Sequence, residues 1–485
     1  MNCVDYLFEN TSNLQKDLIL GTLENTTYLS AYEKTLLLAN FIKNKIGTGK
    51  KVLLVSQNSI FWMTTYLGIL KSGNICVPLN PSIEQKNFDF IAEKTKCELV
   101  FISAIALKKL AVSIEKYSEV NYPAVISSPT AKNEKTNEFD GDQIAEIIFT
   151  SGSTSTPKGV MLTHNNIIAN TNSIIQYLNL NENDIIQVVL PFYYCYGLSL
   201  LHTHIRVGGQ MVINNNFIFL ASTIDNINKY HCTGFAGVPS HFQILLRKTD
   251  LFKNTIFTSL RYVTQAGGKL HNTFIDEFTS TFPSIQFITM YGQTEATARL
   301  SYLPPQMIYE KTGSIGKAIP DVELKVVNER GESVHPGKIG EIIAKGNNIM
   351  AGYLDDPIET SHTIRNGWLY TGDLGTVDEE GYIYLTSRIK EIIKVRGKRV
   401  SPKEIEEVIE MIPEVIDCSI EAFHDDILGE GIKSTIVVNE KGKHITAEYI
   451  RNFCGSRLSA YKIPSIIEFK ESMNINAAGK KVKSL

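Results

Sequence analysis

Ile147-Ile-Phe-Thr-Ser-Gly-Ser-Thr-Ser-Thr-Pro-Lys-Gly-Val160 decides how this chain is read. An apolar run, Ile147 to Phe149, stops at Thr150; small and hydroxyl residues follow up to Thr156, then Pro157, Lys158 and Gly159. A strand entering such a loop and closing on a lysine suits a polyphosphate. Small residues let backbone N–H groups approach the anion, hydroxyls add donors, and the lysine supplies a point charge. A Walker A loop needs Gly-x-x-x-x-Gly-Lys-Ser/Thr, whereas here Pro157 stands at the second glycine and Gly159 follows the lysine. The loop therefore reads as nucleotide-binding outside the P-loop NTPases.

Outward from that loop, 485 residues exceed what one compact core organises, so two or more domains are expected. Hydrophobic content of 43% and charged content of 20% describe an ordinary globular protein. A net charge of −3 gives no reason to expect nucleic acid or an anionic membrane as a partner. The amino terminus, Met1-Asn-Cys-Val-Asp-Tyr-Leu-Phe-Glu9, lacks the basic start of a secretory signal, and no apolar run approaches the ~20 residues that span a bilayer. Seven cysteines without a Cys-x-x-Cys pair fit reduced thiols in a cytoplasmic protein. His202 and His204 alternate as on one strand face and read as packing residues.

The first third alternates helix-like and strand-like segments. Leu29 to Ile42 and Phe61 to Lys71 have helical character; Lys51–Val55, Ile75–Leu79 and Glu98–Ile102 read as buried strands. Further strands are expected at Ile185–Leu190, Gln210–Ile213 and Ile285–Thr289. This rhythm predicts an α/β fold of parallel sheets covered by helices. After about residue 312, Gly-bounded alternating segments predict an antiparallel β subdomain. A boundary is expected near Ser387–Lys390, followed by a small α+β unit whose helix opens at Pro402. The expected architecture is a large N-terminal domain over 1–387, with the β subdomain at about 312–387, and a small mobile C-terminal lid over 391–485.

Thr150-Ser-Gly-Ser-Thr-Ser-Thr-Pro-Lys-Gly159 resembles the signature of the adenylate-forming superfamily: acyl-CoA synthetases, aryl-acid and carrier-protein ligases, peptide-synthetase adenylation domains and firefly-type luciferases. Ser155 stands where that family has a second glycine. The resemblance implies that Thr150, Ser151, Gly152, Ser153, Thr154 and Lys158 hold the triphosphate.

Further segments agree in order and extend the resemblance along nearly the whole chain. In Tyr291-Gly-Gln-Thr-Glu-Ala296 a glycine and a threonine at a strand end suit backbone approach to a nucleotide, and a carboxylate suits Mg²⁺. By resemblance, Tyr291, Gly292 and Gln293 line the nucleotide site, Thr294 meets the α-phosphate and Glu295 holds the metal. Gln265-Ala-Gly-Gly-Lys-Leu270 is similar to the adenine wall, with Gly267 and Gly268 admitting a flat ring. In Tyr370-Thr-Gly-Asp-Leu-Gly375, Asp373 matches the aspartate that binds both ribose hydroxyls, since one carboxylate can accept two hydrogen bonds from a cis-diol. The segment from Ser387 to Glu406 carries seven basic residues in twenty. Within it Arg388 matches a ribose-binding arginine, Lys390 a hinge at about 388–390, Arg399 a phosphate contact and Gly397 a loop lining a thiol tunnel; Ser387 replaces the usual glycine. Leu458-Ser-Ala-Tyr-Lys-Ile-Pro464 resembles a structural motif, and Asn476-Ala-Ala-Gly-Lys-Lys481 places the catalytic lysine at Lys480, which with Lys158 and Thr294 forms the implied catalytic set.

Pro191-Phe-Tyr-Tyr-Cys-Tyr-Gly197 occupies the acyl-pocket segment, implying Tyr194, Cys195 and Gly197 as lining residues, with His241 of Phe235-Ala-Gly-Val-Pro-Ser-His-Phe242 on the opposite wall. No aspartate lies between Pro191 and Arg206 to receive an α-amino group, so a fatty or aryl acid is expected. The implied chemistry is ATP- and Mg²⁺-dependent activation of a small carboxylic acid, then transfer to a thiol, either CoA or the phosphopantetheinyl arm of a separate acyl carrier protein. A luciferase-like oxidoreductase and a non-catalytic nucleotide-binding relative are the alternatives of other classes.

Overall fold

The computed structural model describes residues 1–21, 25–122, 139–150, 157–395, 398–425 and 429–473. Lys51–Val55, Ile75–Leu79 and Leu99–Ile102 form parallel neighbours in a sheet of seven strands among the described residues. Their Val/Leu/Ile runs lack polar alternation because both faces are covered. Ile144–Thr150 joins this sheet beside Ile75–Leu79 and pairs antiparallel with Lys158–Thr163. The Ile60–Lys71 helix is buried along nearly its whole length. Its apolar character on every side follows from its place in a core that also takes side chains from the second sheet, among them Ile186, Val188 and Met211.

In the second sheet, Asp17–Leu20, Gln210–Ile213, Ile185–Val188, Gly234–Gly237, Tyr262–Gln265 and Gln286–Tyr291 run parallel in that spatial order. Parallel strands place all their carboxyl ends along one edge, and the loops that leave that edge are where ligands bind in such sheets. The antiparallel strands expected after residue 312 are present, but they are continuous with this sheet through Ser301–Tyr302, making fourteen strands among the described residues. One expectation is corrected. His202 and His204 lie in the helix Cys195–Val207 and not on a strand. Residues 196–205 are all buried, and this continuous burial hides the helical period.

The C-terminal strands Val415–Asp425 and Gly429–Val438 form a long hairpin with helices Pro402–Glu410 and Ala447–Gly455. They enclose a separate apolar cluster that includes Ile405, Ile409, Cys418, Ile436 and Ile450. Arg247 anchors this unit to the rest of the chain. Its guanidinium donates to the carbonyls of Glu410 and Ile412, each at 3.2 Å, and of Val415 at 2.5 Å. It also pairs with Glu277 at 3.2 Å, and Lys269 reaches Glu407 at 2.5 Å.

Between the sheets, Tyr66 Oη lies 2.8 Å from Glu146 Oε2 and 2.9 Å from His202 Nε2. Burial pushes the Glu146 carboxyl up to about 7, the Tyr66 hydrogen bond only partly offsetting it, and the same burial brings His202 down to about 3. An unfolded glutamate titrates near about 4.3, so across roughly pH 4–7 the unfolded chain gives up a proton that the folded chain keeps. Stability from this group therefore falls as pH rises through that window and levels off above it. Glu146→Gln should raise the unfolding free energy obtained from urea titration at pH 7.5 by an amount on the order of 3 kcal/mol, and much less at pH 5. A difference independent of pH would refute this assignment.

Candidate active site

The carboxyl edge of the second sheet gathers most of the expected nucleotide residues. Gln286–Tyr291 runs two residues past the expected strand end, so Tyr291 closes the strand and is buried. A short 3₁₀ turn, Thr294–Ala296, follows. Gly292 makes the reversal possible: an added Cβ would lie 2.0 Å from the Ala298 carbonyl oxygen. Gly292→Ala is accordingly expected to cost about 3 kcal/mol or more, seen as a lower thermal midpoint, and to raise the KM for ATP by displacing Thr294 and Glu295.

Asp373 lies on strand Trp368–Val377 and Arg388 on Ile383–Arg388, and the two residues are direct cross-strand partners. Asp373 is 4% exposed. Its Oδ1 accepts from Arg388 Nε at 3.0 Å and its Oδ2 from Tyr291 Oη at 2.6 Å. Burial, reinforced by this carboxylate, pushes the Tyr291 phenol well up, and the Asp373 charge holds the Arg388 guanidinium above its usual value. The tyrosine therefore remains a donor and the arginine a cation. Both fix a carboxylate at the edge where a cis-diol could meet it.

Glu295 and Thr294 are half-buried beside this group. Tyr353 Oη donates to Glu295 Oε1 at 2.9 Å, and Thr294 Oγ1 lies 3.6 Å from Cys195 Sγ. Cys195 opens the helix Cys195–Val207, with half-buried Tyr194 at its N-cap. Gly197 is buried against the preceding turn, where a Cβ would meet the Pro191 carbonyl oxygen at 2.1 Å. This contact sets how tightly Tyr194 and Cys195 fold over the site. His241 is buried on Pro239–Arg247, its ring 4.2 Å from that of Phe217. Val238 N–H donates to His241 Nδ1 at 3.4 Å, and burial brings the imidazole down to about 4. Any carboxylate beside it would meet a neutral ring with its proton on Nε2. Gly267 and Gly268 follow strand Tyr262–Gln265, and the Gly268 carbonyl accepts from Gln265 Nε2 at 2.7 Å.

Thr150 and Lys158 face each other across the Ile144–Thr150/Lys158–Thr163 hairpin. Lys158 forms an ion pair with Glu359 and lies 5.2 Å from the Tyr353 ring centroid. Neither Tyr353 nor Glu359 stood out in the sequence, because some two hundred residues separate them from Lys158 and no motif includes them. Lys390 sits exposed in the turn Ile389–Glu391, and Arg399 sits exposed on Lys398–Val400 opposite Lys394. Ser151, Gly152, Ser153, Thr154, Gly397 and Lys480 lie outside the described residues.

These residues fit a nucleotide and its metal. The carboxylate held by Tyr291 and Arg388 is of a kind that would suit a diol, and Gly268 and Gly292 carry no side chain there. Among the described residues no group of three or more His, Cys, Asp or Glu side chains forms a metal cage. A lone Glu295 is what Mg²⁺ requires when the triphosphate supplies its other ligands.

Residues 9–354 match the AMP-binding enzyme family and residues 404–480 the AMP-binding enzyme C-terminal domain. The chain belongs to the AMP-binding enzyme family and is an adenylate-forming ligase of the acyl-CoA synthetase type. It is 28% identical to an oxalate–CoA ligase of Arabidopsis thaliana, covering 90% of this chain and 87% of that one. It is 29% identical to a long-chain-fatty-acid–CoA ligase of Bacillus subtilis (strain 168), covering 94% and 88% respectively. In fold it resembles the o-succinylbenzoate coenzyme A synthetase of Bacillus subtilis solved with ATP and magnesium ion, with a TM-score of 0.86, 23% identity and coverage of 99% and 98%. No helix among the described residues is long and apolar enough to cross a membrane.

Proposed function

We propose that the chain activates a carboxylic acid with ATP, forming an acyl adenylate and releasing pyrophosphate, and then passes the acyl group to the thiol of CoA. The observation that carries this reading is Asp373, buried and held by both Tyr291 and Arg388 beside Thr294 and Glu295. Its paired oxygens are positioned to take the ribose, which sets the α-phosphate toward Thr294. Lys158 is assigned to the β- and γ-phosphates. Mg²⁺ held by Glu295 would supply charge compensation for the leaving pyrophosphate. Lys480 is assigned to the negative charge that gathers between the α-phosphate and the attacking oxygen. Thr150, the 151–154 loop, Gly267, Gly268, Gly292 and Gln293 complete the nucleotide contacts in this assignment.

The proposed division is a core over 1–387 and a lid over 391–485 turning at Lys390, which would withdraw Lys480 and bring Gly397 and Arg399 toward the thiol. The separate C-terminal apolar cluster supports two bodies. Tyr194, Cys195, Gly197 and His241 are assigned to the acid. Aromatic and apolar walls around a neutral imidazole favour a fatty or aryl acid. A separate carrier protein is the second acceptor considered, and the proposed compartment is the cytoplasm.

The test is ATP–pyrophosphate exchange over a panel of fatty, aryl and short dicarboxylic acids, followed by thioester assays with CoA and with carrier proteins. Exchange with at least one acid and thioester formation on CoA are expected. Absence of exchange with every acid would refute the proposal.

A further inference from the structure

The ammonium of Lys158 is engaged by side chains of the chain itself. It pairs with Glu359, their side chains being 21% and 32% exposed, and it lies over the Tyr353 ring. Tyr353 Oη is spent on Glu295 Oε1. One tyrosine thus bridges the group assigned to the triphosphate and the group assigned to its metal.

The partners are held by backbone. Gly352–Tyr353 pairs antiparallel with Met161 and Val160, next to Lys158 in the chain. Leu354 N–H donates to the Gly159 carbonyl at 2.8 Å, and Tyr353 N–H donates to Thr360 Oγ1 at 2.9 Å. Asp356 caps the short helix Pro357–Thr363 by accepting from Glu359 N–H at 3.0 Å. Glu359 therefore reaches Lys158 from a fixed platform, unlike two long side chains meeting by chance on a surface.

We infer that Glu359 is a built-in counter-anion of Lys158 that competes with the β- and γ-phosphates for the same ammonium and so sets the affinity for Mg·ATP, with Tyr353 holding Glu295 as the other half of the latch. The inference rests on the assignment of Lys158 to the phosphates. A triphosphate brings several negative charges to a lysine that Glu359 has already neutralised. For full contact the carboxylate must give up the ammonium, and breaking that pair counts against binding. Lys158 and Glu295 each have an internal partner, Glu359 and Tyr353 respectively. Binding is the exchange of these internal partners for the nucleotide and its metal.

The test is a double-mutant cycle on the full-length protein. Mg·ATP is titrated calorimetrically into the wild type, Glu359→Gln, Lys158→Ala and the double variant, and KM values for ATP and for the acid are measured in parallel. Glu359→Gln should bind Mg·ATP about three- to tenfold more tightly and lower the KM for ATP by a similar factor, with no matching change in the KM for the acid. In the Lys158→Ala background the same substitution should have little effect. Unchanged or weaker binding in Glu359→Gln would overturn the latch. An equal gain in both backgrounds would also overturn it, since a general field would then be acting in place of a pairwise contact. Glu359→Asp, which keeps the charge, should bind Mg·ATP like the wild type, and thermal midpoints check that each variant folds. Failure of every form, wild type included, to bind Mg·ATP would refute the functional reading itself.

Discussion

Replacing Lys480 by alanine should slow acyl-adenylate formation by about two to three orders of magnitude while leaving thioester formation from supplied acyl adenylate nearly intact. A carboxylate attacking an α-phosphate brings two anions together, and a positioned cation offsets the charge that accumulates between them. In the second step the thiol attacks the acyl carbon of the mixed anhydride, so the developing charge falls on the acyl oxygen and no longer between a carboxylate and the α-phosphate. Lys480 ends the stretch that matches the C-terminal domain of the family, and in the proposed lid motion only the orientation for the first step presents it. Single-turnover rates of the two half-reactions, measured separately, check this. Equal loss in both would show that Lys480 holds structure and has no specific place in adenylation.

Asp373→Ala should raise the KM for ATP and lower kcat/KM for ATP by about 10²- to 10³-fold. The carboxylate is buried and both oxygens are engaged, by Arg388 and by Tyr291. Hydrogen bonds to a charged group are worth about 1.5–3 kcal/mol each, and two of them to a ribose account for a loss of that size. The distinguishing measurement is discrimination between ATP and 2′-deoxy-ATP. The wild type should prefer ATP strongly, and the variant should treat the two nearly alike. A variant that loses activity yet keeps the preference would place the ribose elsewhere.

Much of this site is legible in the chain because its residues act locally. Tyr291 to Glu295 and Tyr370 to Asp373 are each short turns at strand ends, where glycine and one polar side chain must fall at fixed spacing for the backbone to reverse and the group to project. The strands Lys51–Val55 and Ile75–Leu79 were readable for a similar reason, as short apolar runs of strand length beside glycine-containing turns. The helix over Cys195–Val207 was not, since burial on several sides removes the polar face that reveals a helical period. The Glu146–Tyr66–His202 group was equally hidden. Each residue is unremarkable in its own segment, and only the packing of helix Ile60–Lys71 between the sheets makes them neighbours.

The order of motifs by itself determined the reaction class, because nucleotide contacts are made by backbone turns whose chemistry is written in consecutive residues. Tertiary structure alone decided which polar and charged groups meet: Asp373 with Tyr291, Arg247 with the carbonyls of the C-terminal unit, and Lys158 with Glu359. Coulomb and hydrogen-bond energies depend on a few ångströms of separation and on shielding from water. Those distances are set by how sheets and helices stack, which leaves no periodic mark along the chain.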